Sequence, residues 1–246
     1  MNILQRAGGE QREFDERGFT LVELMIGLVM AGIVVGVIYS AYTIQTKIYT
    51  EQGKTAEMQQ NIRAGLTYLQ GEIRMAGYNP DQANHPSCGT SSGAPGIHTA
   101  TAAAFGFSMD LNGNGDCDDP GENVTYSVYT ASDGRRKLGR AAPSIRQAVA
   151  EDITHIEFLY MFPPPKPPKT DPTASELHDI VAVQVSLLAR ARYPDRTAPA
   201  AVSFTLPLPD AWGILAPAGG TVWGPFTDSF RRRLLTTTIN IRNMGL

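Results

Sequence analysis

The sequence predicts an α+β fold in which one long N-terminal helix packs on a mainly antiparallel β-sheet head. Three observations carry that expectation. Leu24 to Thr46 is free of charged residues over 23 positions. As a helix rising about 1.5 Å per residue, that run can cross a hydrocarbon core about 30 Å thick. Apolar residues then recur at steps of three or four as far as Ile73, the stripe of an amphipathic helix. Beyond residue 77 come short alternating runs separated by turn-forming stretches, with 24 glycines and 17 prolines in the whole chain. Such a pattern reads as strands and irregular loops, and no second helix of comparable length follows.

A chain of 246 residues holds one anchored domain of ordinary size or two small ones. Charged residues are 18% of it, below the usual quarter of a soluble domain, and the apolar run explains part of that. The net charge is −3, so nothing global points to nucleic acid, and no nucleic-acid partner is expected.

Residues 1–18 set Arg6, Arg12 and Arg17 against Glu10, Glu13, Asp15 and Glu16 and show no apolar periodicity. They read as a removable leader. A secretory signal puts its small-residue cleavage site after the apolar core. Here the small residue, Gly18, stands before it, so cleavage there leaves the apolar helix on the mature protein. The helix is expected over 19–76, with 19–42 as its transmembrane half and 43–76 as its amphipathic half. In the second half Ile44, Ile48, Thr55, Met58, Ile62, Leu66, Leu69 and Ile73 form the buried stripe. Lys47, Glu51, Lys54, Glu57, Arg63, Glu72 and Arg74 form a solvated face. Gly77 suits a left-handed terminal position, and Pro80 follows it.

The head spans 77–246. Residues 78–103 read as loop. Strands are expected at 105–109, at 123–130 with Val124, Tyr126 and Val128 on one face, and at 137–141 after a turn at 132–134. Another is expected at 153–162, where Ile156, Phe158 and Tyr160 alternate. Pro163 to Lys169 reads as an extended polyproline linker outside any sheet. A central strand follows within 179–192, a shorter one at 202–206, a loop over 207–227 carrying Trp212 and Trp223, and a final strand within 231–243.

Gly18-Phe19-Thr20-Leu21-Val22-Glu23-Leu24-Met25-Ile26 resembles the processing site of type IV prepilins and type II secretion pseudopilins. The resemblance implies cleavage by a prepilin peptidase after Gly18 and N-methylation of the new first residue, Phe19. It also implies a type IV pilin-like fold. Residues 59–64, 69–78 and 231–243 are similar to the helix end and C-terminus of PilW-type minor pilins and of J-type minor pseudopilins. The function so implied is that of a minor pilin placed at or near a pilus tip. Its partners would be other minor pilins, the major pilin, an inner-membrane assembly platform and the lipid bilayer. The protein would sit as a single-pass inner-membrane protein with a periplasmic head, and in an extracellular pilus after assembly. The alternatives are a J-type pseudopilin and a membrane-tethered binding protein that enters no filament.

Glu23 is a carboxylate in an apolar run and therefore a functional candidate, since charge in hydrocarbon is costly. The resemblance implies that it meets the N-terminal amine of Phe19 on a neighbouring subunit and sets axial register; the plainer reading is that it snorkels to the interface. Asp110, Asn112, Asn114, Asp116, Asp118 and Glu122 place oxygen ligands at alternate positions, as in the first half of a calcium loop. The twelfth position is Gly121 and the carboxylate falls at Glu122, so a polar turn competes with a calcium site. No cofactor is required; Ca²⁺ is the candidate. Cys88 and Cys117 are expected as one disulfide if the head is extracytoplasmic, and otherwise as two unpaired thiols.

Arg231-Arg232-Arg233 reads as a solvated strand start. His85, His98, His155 and His178 are scattered, and no nucleophile elbow, phosphate loop or HExxH motif occurs. Asp152 and Glu157 fall on opposite strand faces. No enzyme is expected.

Overall fold

A computed structural model of the chain describes residues 18–82, 84–90, 95–142, 145–195, 201–209, 215–216 and 220–244. Residues 1–17 of the expected leader, and Trp212, lie outside the described residues. The chain divides into two compact units, Met1–Thr50 and Glu51–Leu246.

The long helix α1 runs Leu21–Ile73, 53 residues, slightly shorter at both ends than the expected 19–76. Thr20 opens it. Its Oγ1 accepts from the Glu23 N–H at 3.2 Å and its carbonyl from the Leu24 N–H at 3.1 Å, which satisfies donors that a helix start leaves unpaired. In the first unit every side chain from Leu21 to Tyr42 is exposed. The segment is long and apolar enough to cross a membrane by length and composition. Thr43, Thr46, Thr50 and Thr55 return their hydroxyls to carbonyls three or four residues back, so these polar groups do not compete with the helix.

In the second unit α1 buries Met58, Ile62, Gly65, Leu66, Leu69 and Ile73. Ile44 and Ile48 stay more than half exposed, so the buried stripe starts later than the expected 43. After Ile73 the Met75 and Ala76 N–H groups bond to Glu72 and Ile73. Gly77 then takes φ 74°, and a Cβ there would meet the Met244 sulfur at 2.7 Å. Both its conformation and its neighbour require glycine.

The head is antiparallel. Strands β1 (Ile97–Ala100), β2 (Ala104–Ser108), β3 (Asn123–Thr130), β4 (Arg136–Ala142) and β5 (Ile145–Glu151) form a five-stranded meander in chain order. β6 (Ile153–Met161) and β7 (Ala182–Arg190) pair side by side, with β8 (Val202–Thr205), β9 (Leu208–Pro209), β10 (Leu215–Ala216) and β11 (Val222–Phe226) between β7 and β12 (Arg232–Asn240) in the chain. β7 is central in the order β12-β7-β6, and β8 pairs with β11 and β9 with β10 in two-stranded ribbons. The alternation read in β3 and β6 is present, with Val124, Tyr126, Ile156, Phe158 and Tyr160 buried.

One core joins α1 to both sheets through Leu69, Phe105, Phe107, Leu138, Phe158, Val185 and Leu187. At Gly65 an added Cβ would meet Ala150 of β5 at 3.0 Å, Leu138 of β4 at 3.4 Å and Leu187 of β7 at 3.9 Å. The helix backbone therefore lies against both sheets at this point. β7 is buried on its second face too: Gln184 Nε2 donates to the Pro207 carbonyl at 2.7 Å, and Leu206 is buried.

Three loop or linker expectations need correction, and one strand was not expected. Residues 78–103 contain β1, whose four residues are too few to show a period and are held by β2. Residues 207–227 contain β11 despite Gly224 and Pro225. Among the described residues it pairs with β8 alone, with a register shift between Trp223 and Phe226, as an edge strand tolerates. β5 was not foreseen, because its exposed residues 145–148 carry little alternation. Pro163–Lys169 turns back instead of extending: Lys166 N–H bonds to Pro163 O, and Lys169 exchanges backbone hydrogen bonds with Tyr160 at 2.8 and 3.0 Å. The lysines keep the N–H groups that the prolines lack.

Candidate functional site

The N-terminal segment presents its residues openly. Gly18 has nothing within 4 Å of where a Cβ would lie, and Phe19 is 84% exposed, so the peptide bond between them is accessible. Thr20 and Glu23 occupy the cap and the third helical position, the spacing of a capping box. Only the half made by Thr20 is formed. The Glu23 carboxylate has no ion pair among the described residues and stands in the first turn of α1, where the helix dipole favours negative charge.

The acidic loop between β2 and β3 is folded by its own side chains. Asp110 and Glu122 are buried. Asp110 accepts from the Gly113 and Gly115 N–H groups at 2.6 and 2.9 Å, and Glu122 from Leu111 and Asp119 at 2.8 and 3.3 Å. Those donors are what make burial of two carboxylates tolerable. Asn112, Asn114 and Asp116 each accept from the N–H two residues on, a chain of Asx turns. Asn112 and Asn114 also donate to Asp119 at 2.6 and 3.1 Å.

In the alternating ligand set, Asp110, Asn112 and Asn114 thus have side-chain oxygens engaged by N–H groups of the loop itself. Carboxylate oxygens of Asp116, Asp119 and Glu122 lie within 4.8 Å of one another. Asp118 is exposed and outside this group, whereas Asp119, which the alternate spacing passed over, belongs to it. The signal for Asp119 is its position three residues before Glu122. Three carboxylate oxygens this close can share a hard cation. Cys88 and Cys117 form a disulfide, and the Cys117 N–H bonds to Ser87 Oγ at 2.9 Å, which braces the loop from outside.

A polar cluster joins α1 to the five-stranded sheet. Arg140 Nε donates to Glu72 Oε1 and Oε2 at 3.0 and 2.9 Å, its Nη2 to the Gly121 carbonyl at 3.2 Å, and the Tyr126 hydroxyl to Glu72. Burial, then the Glu72 charge and hydrogen bond, push the Tyr126 hydroxyl well above its ordinary range. Sequence reasoning missed this cluster, because it placed Glu72 on the solvated face.

The histidines and the other carboxylates singled out in the sequence lie apart from one another. His85 caps the short turn at Pro86–Cys88, and His178 pairs with Asp179 at 3.0 Å. Burial lowers the His98 imidazole. His155 packs on Trp223 and Phe226 at ring distances of 5.2 and 5.5 Å; burial, then Arg136 and Arg232, lower it. Asp152 holds Arg135, while Glu157 lies against Thr221 and is raised by burial, so the two carboxylates form no acid–base pair. Arg232 is not solvated as expected: its side chain is 6% exposed and bonds to Asp228 at 2.6 Å through both Nη atoms.

Residues 14–39 match the prokaryotic N-terminal methylation motif. No curated protein matches the chain. Among solved structures, a type IV-like pilin from Thermus thermophilus is similar at 14% identity, over 76% of this chain and 97% of that one, with a TM-score of 0.45.

Proposed function

We propose that this chain is a pilin-like structural subunit, cleaved after Gly18, methylated at Phe19, anchored in a membrane and then packed into a filament. The observation that carries the reading is the methylation motif over residues 14–39, set on a helix whose residues 21–42 are all exposed. An apolar surface of that kind needs lipid or other helices around it. The chemistry of a subunit is packing, and a prepilin peptidase, an inner-membrane platform and other pilins are its partners.

The finer reading is a PilW-type minor pilin near a pilus tip, supported by the sequences at 59–64, 69–78 and 231–243. A J-type pseudopilin is its rival. Mass spectrometry of the mature N-terminus tests the common part: it should find methylated Phe19. An unprocessed chain, or cleavage elsewhere, ends the proposal. Co-purification with secretion pseudopilins alone would select the rival.

Glu23 acts as a register-setting carboxylate on this reading. Glu23→Ala should leave cleavage intact and abolish incorporation into filaments; unchanged incorporation refutes the role. Calcium binding by the acidic loop is a separate proposal, with Asp116, Asp119 and Glu122 as the ligand core. Calorimetric titration of the full chain in detergent should show one site that Asp119→Asn removes. No heat at millimolar calcium disposes of it.

A further inference from the structure

The chain is acidic overall, at −3, yet one end of the three-stranded sheet is basic. β7 ends in Arg190, with Ala191 and Arg192 following, and beside it Arg231 leads into β12, which starts with Arg232 and Arg233. Arg190 opposes Arg232 in register, and the Ala191 N–H bonds to Arg231 O at 2.8 Å. Five arginines thus share two adjacent strand ends. Two aspartates answer them: buried Asp195 holds Arg231, and Asp228 holds Arg232. Arg192 and Arg233 are exposed and have no ion pair among the described residues.

Aromatic rings are interleaved with these cations. Arg190 lies 4.6 Å from the Phe230 ring centre, Arg232 4.0 Å from Phe226 and Arg192 5.7 Å from Tyr193, which is 52% exposed. A groove of about 320 Å³ runs among Phe204, Phe226, Phe230, Met58, Asp228 and the three arginines 231–233. The Nε atoms of Arg190 and Arg232 are buried and have no acceptor among the described residues.

Guanidinium groups on apolar stems, set among aromatic rings, suit the phosphate layer of a membrane. Arginine takes phosphate oxygens in pairs, and aromatic rings settle at headgroup depth. The groove wall also contains Thr55 and Met58, which follow Thr46, the last residue of the uncharged run, by nine and twelve positions. We propose that this arginine–aromatic end is a docking surface for anionic phospholipid headgroups of the membrane that holds the chain's own apolar segment. The proposal rests on the anchor in the reading above. An acidic protein partner is the competing occupant. The nearness in sequence to the membrane segment, and two uncompensated guanidinium groups instead of one, favour lipid.

The test uses the full chain in nanodiscs of phosphatidylcholine with or without phosphatidylglycerol, read by amide hydrogen exchange over residues 190–195 and 228–233. Exchange should slow in the anionic discs and recover at high salt. Arg192→Gln with Arg233→Gln should weaken docking by about fivefold per arginine, whereas the two Lys replacements should retain it. Equal exchange in both disc types overturns the proposal. So does slowing reproduced in neutral discs by inorganic phosphate, or slowing that needs a second protein subunit. A chain that fails to enter either disc overturns the anchor as well, whereas insertion without slowing overturns this inference alone.

Discussion

Glu72 shows how a single residue changes meaning between pattern and structure. On the helix it lies among charged neighbours; in the fold it accepts from Arg140 and Tyr126, residues 68 and 54 positions away. The ion pair is mostly buried, with 10% and 20% of the two side chains exposed. Removing one partner of a buried pair strands the other, so Arg140→Met should cost about 3 kcal/mol in urea unfolding. Adding Glu72→Gln should recover part of that, which a double-mutant cycle measures.

His155 gives a pH effect of defined sign. Its folded pKa lies below the ordinary 6.5, so the unfolded chain takes up the proton first as pH falls. Its contribution is present above about pH 6.5 and is lost as pH falls through the folded value. His155→Phe, flanked by Trp223 and Phe226, should therefore narrow the stability difference between about pH 7.5 and about pH 5 in urea melts. An unchanged difference would place the effect elsewhere.

Among elements, α1 and its seat decide the architecture. Gly65 brings the helix within contact of β4, β5 and β7 together. Gly65→Leu should overpack that seat and lower stability by about 1–3 kcal/mol, despite better helix propensity. Thermal unfolding checks this. The Asp110–Glu122 loop is the second element with its own logic: hydrogen bonds to its own backbone N–H groups fold it, and a disulfide of sequence separation 29 ties Cys117 within it to Cys88. Constraining a loop of that size stabilises by roughly 3–4 kcal/mol. Cys88→Ser with Cys117→Ser should lower the denaturation midpoint accordingly, with the earliest loss of exchange protection between residues 108 and 123.

For the molecule as a whole, every buried side chain of α1 lies from Met58 onward, within the unit Glu51–Leu246. A chain starting at Glu51 should therefore unfold cooperatively, with a midpoint within a few degrees of the full protein by circular dichroism. Starting at Gly65 removes Met58 and Ile62 from the core and should destabilise by several kcal/mol, as large-to-small losses of two core side chains do. If the longer piece failed to fold, residues before Glu51 would contribute to the head.

Local signals made α1, β3, β6, β7 and β12 legible along the chain: a period in α1, β3 and β6, an apolar run in β7, β-branched residues in β12, and a terminal glycine at Gly77. Each is carried by residues a few positions apart, which is all that a helical or strand period requires. The motif at 18–26 was legible for the same reason, since its residues are consecutive. What the chain could not reveal locally was partnership. β1, β5 and β11 are strands because a neighbour pairs with them, and Asp119 joins the carboxylate group because Asx turns fold the loop that way. Glu72 became a buried anchor, and five arginines gathered at one sheet end, through register between segments far apart in sequence. Hydrogen bonds between backbones and the exclusion of water from shared surfaces settle such pairings, and both exist only once the chain has closed on itself.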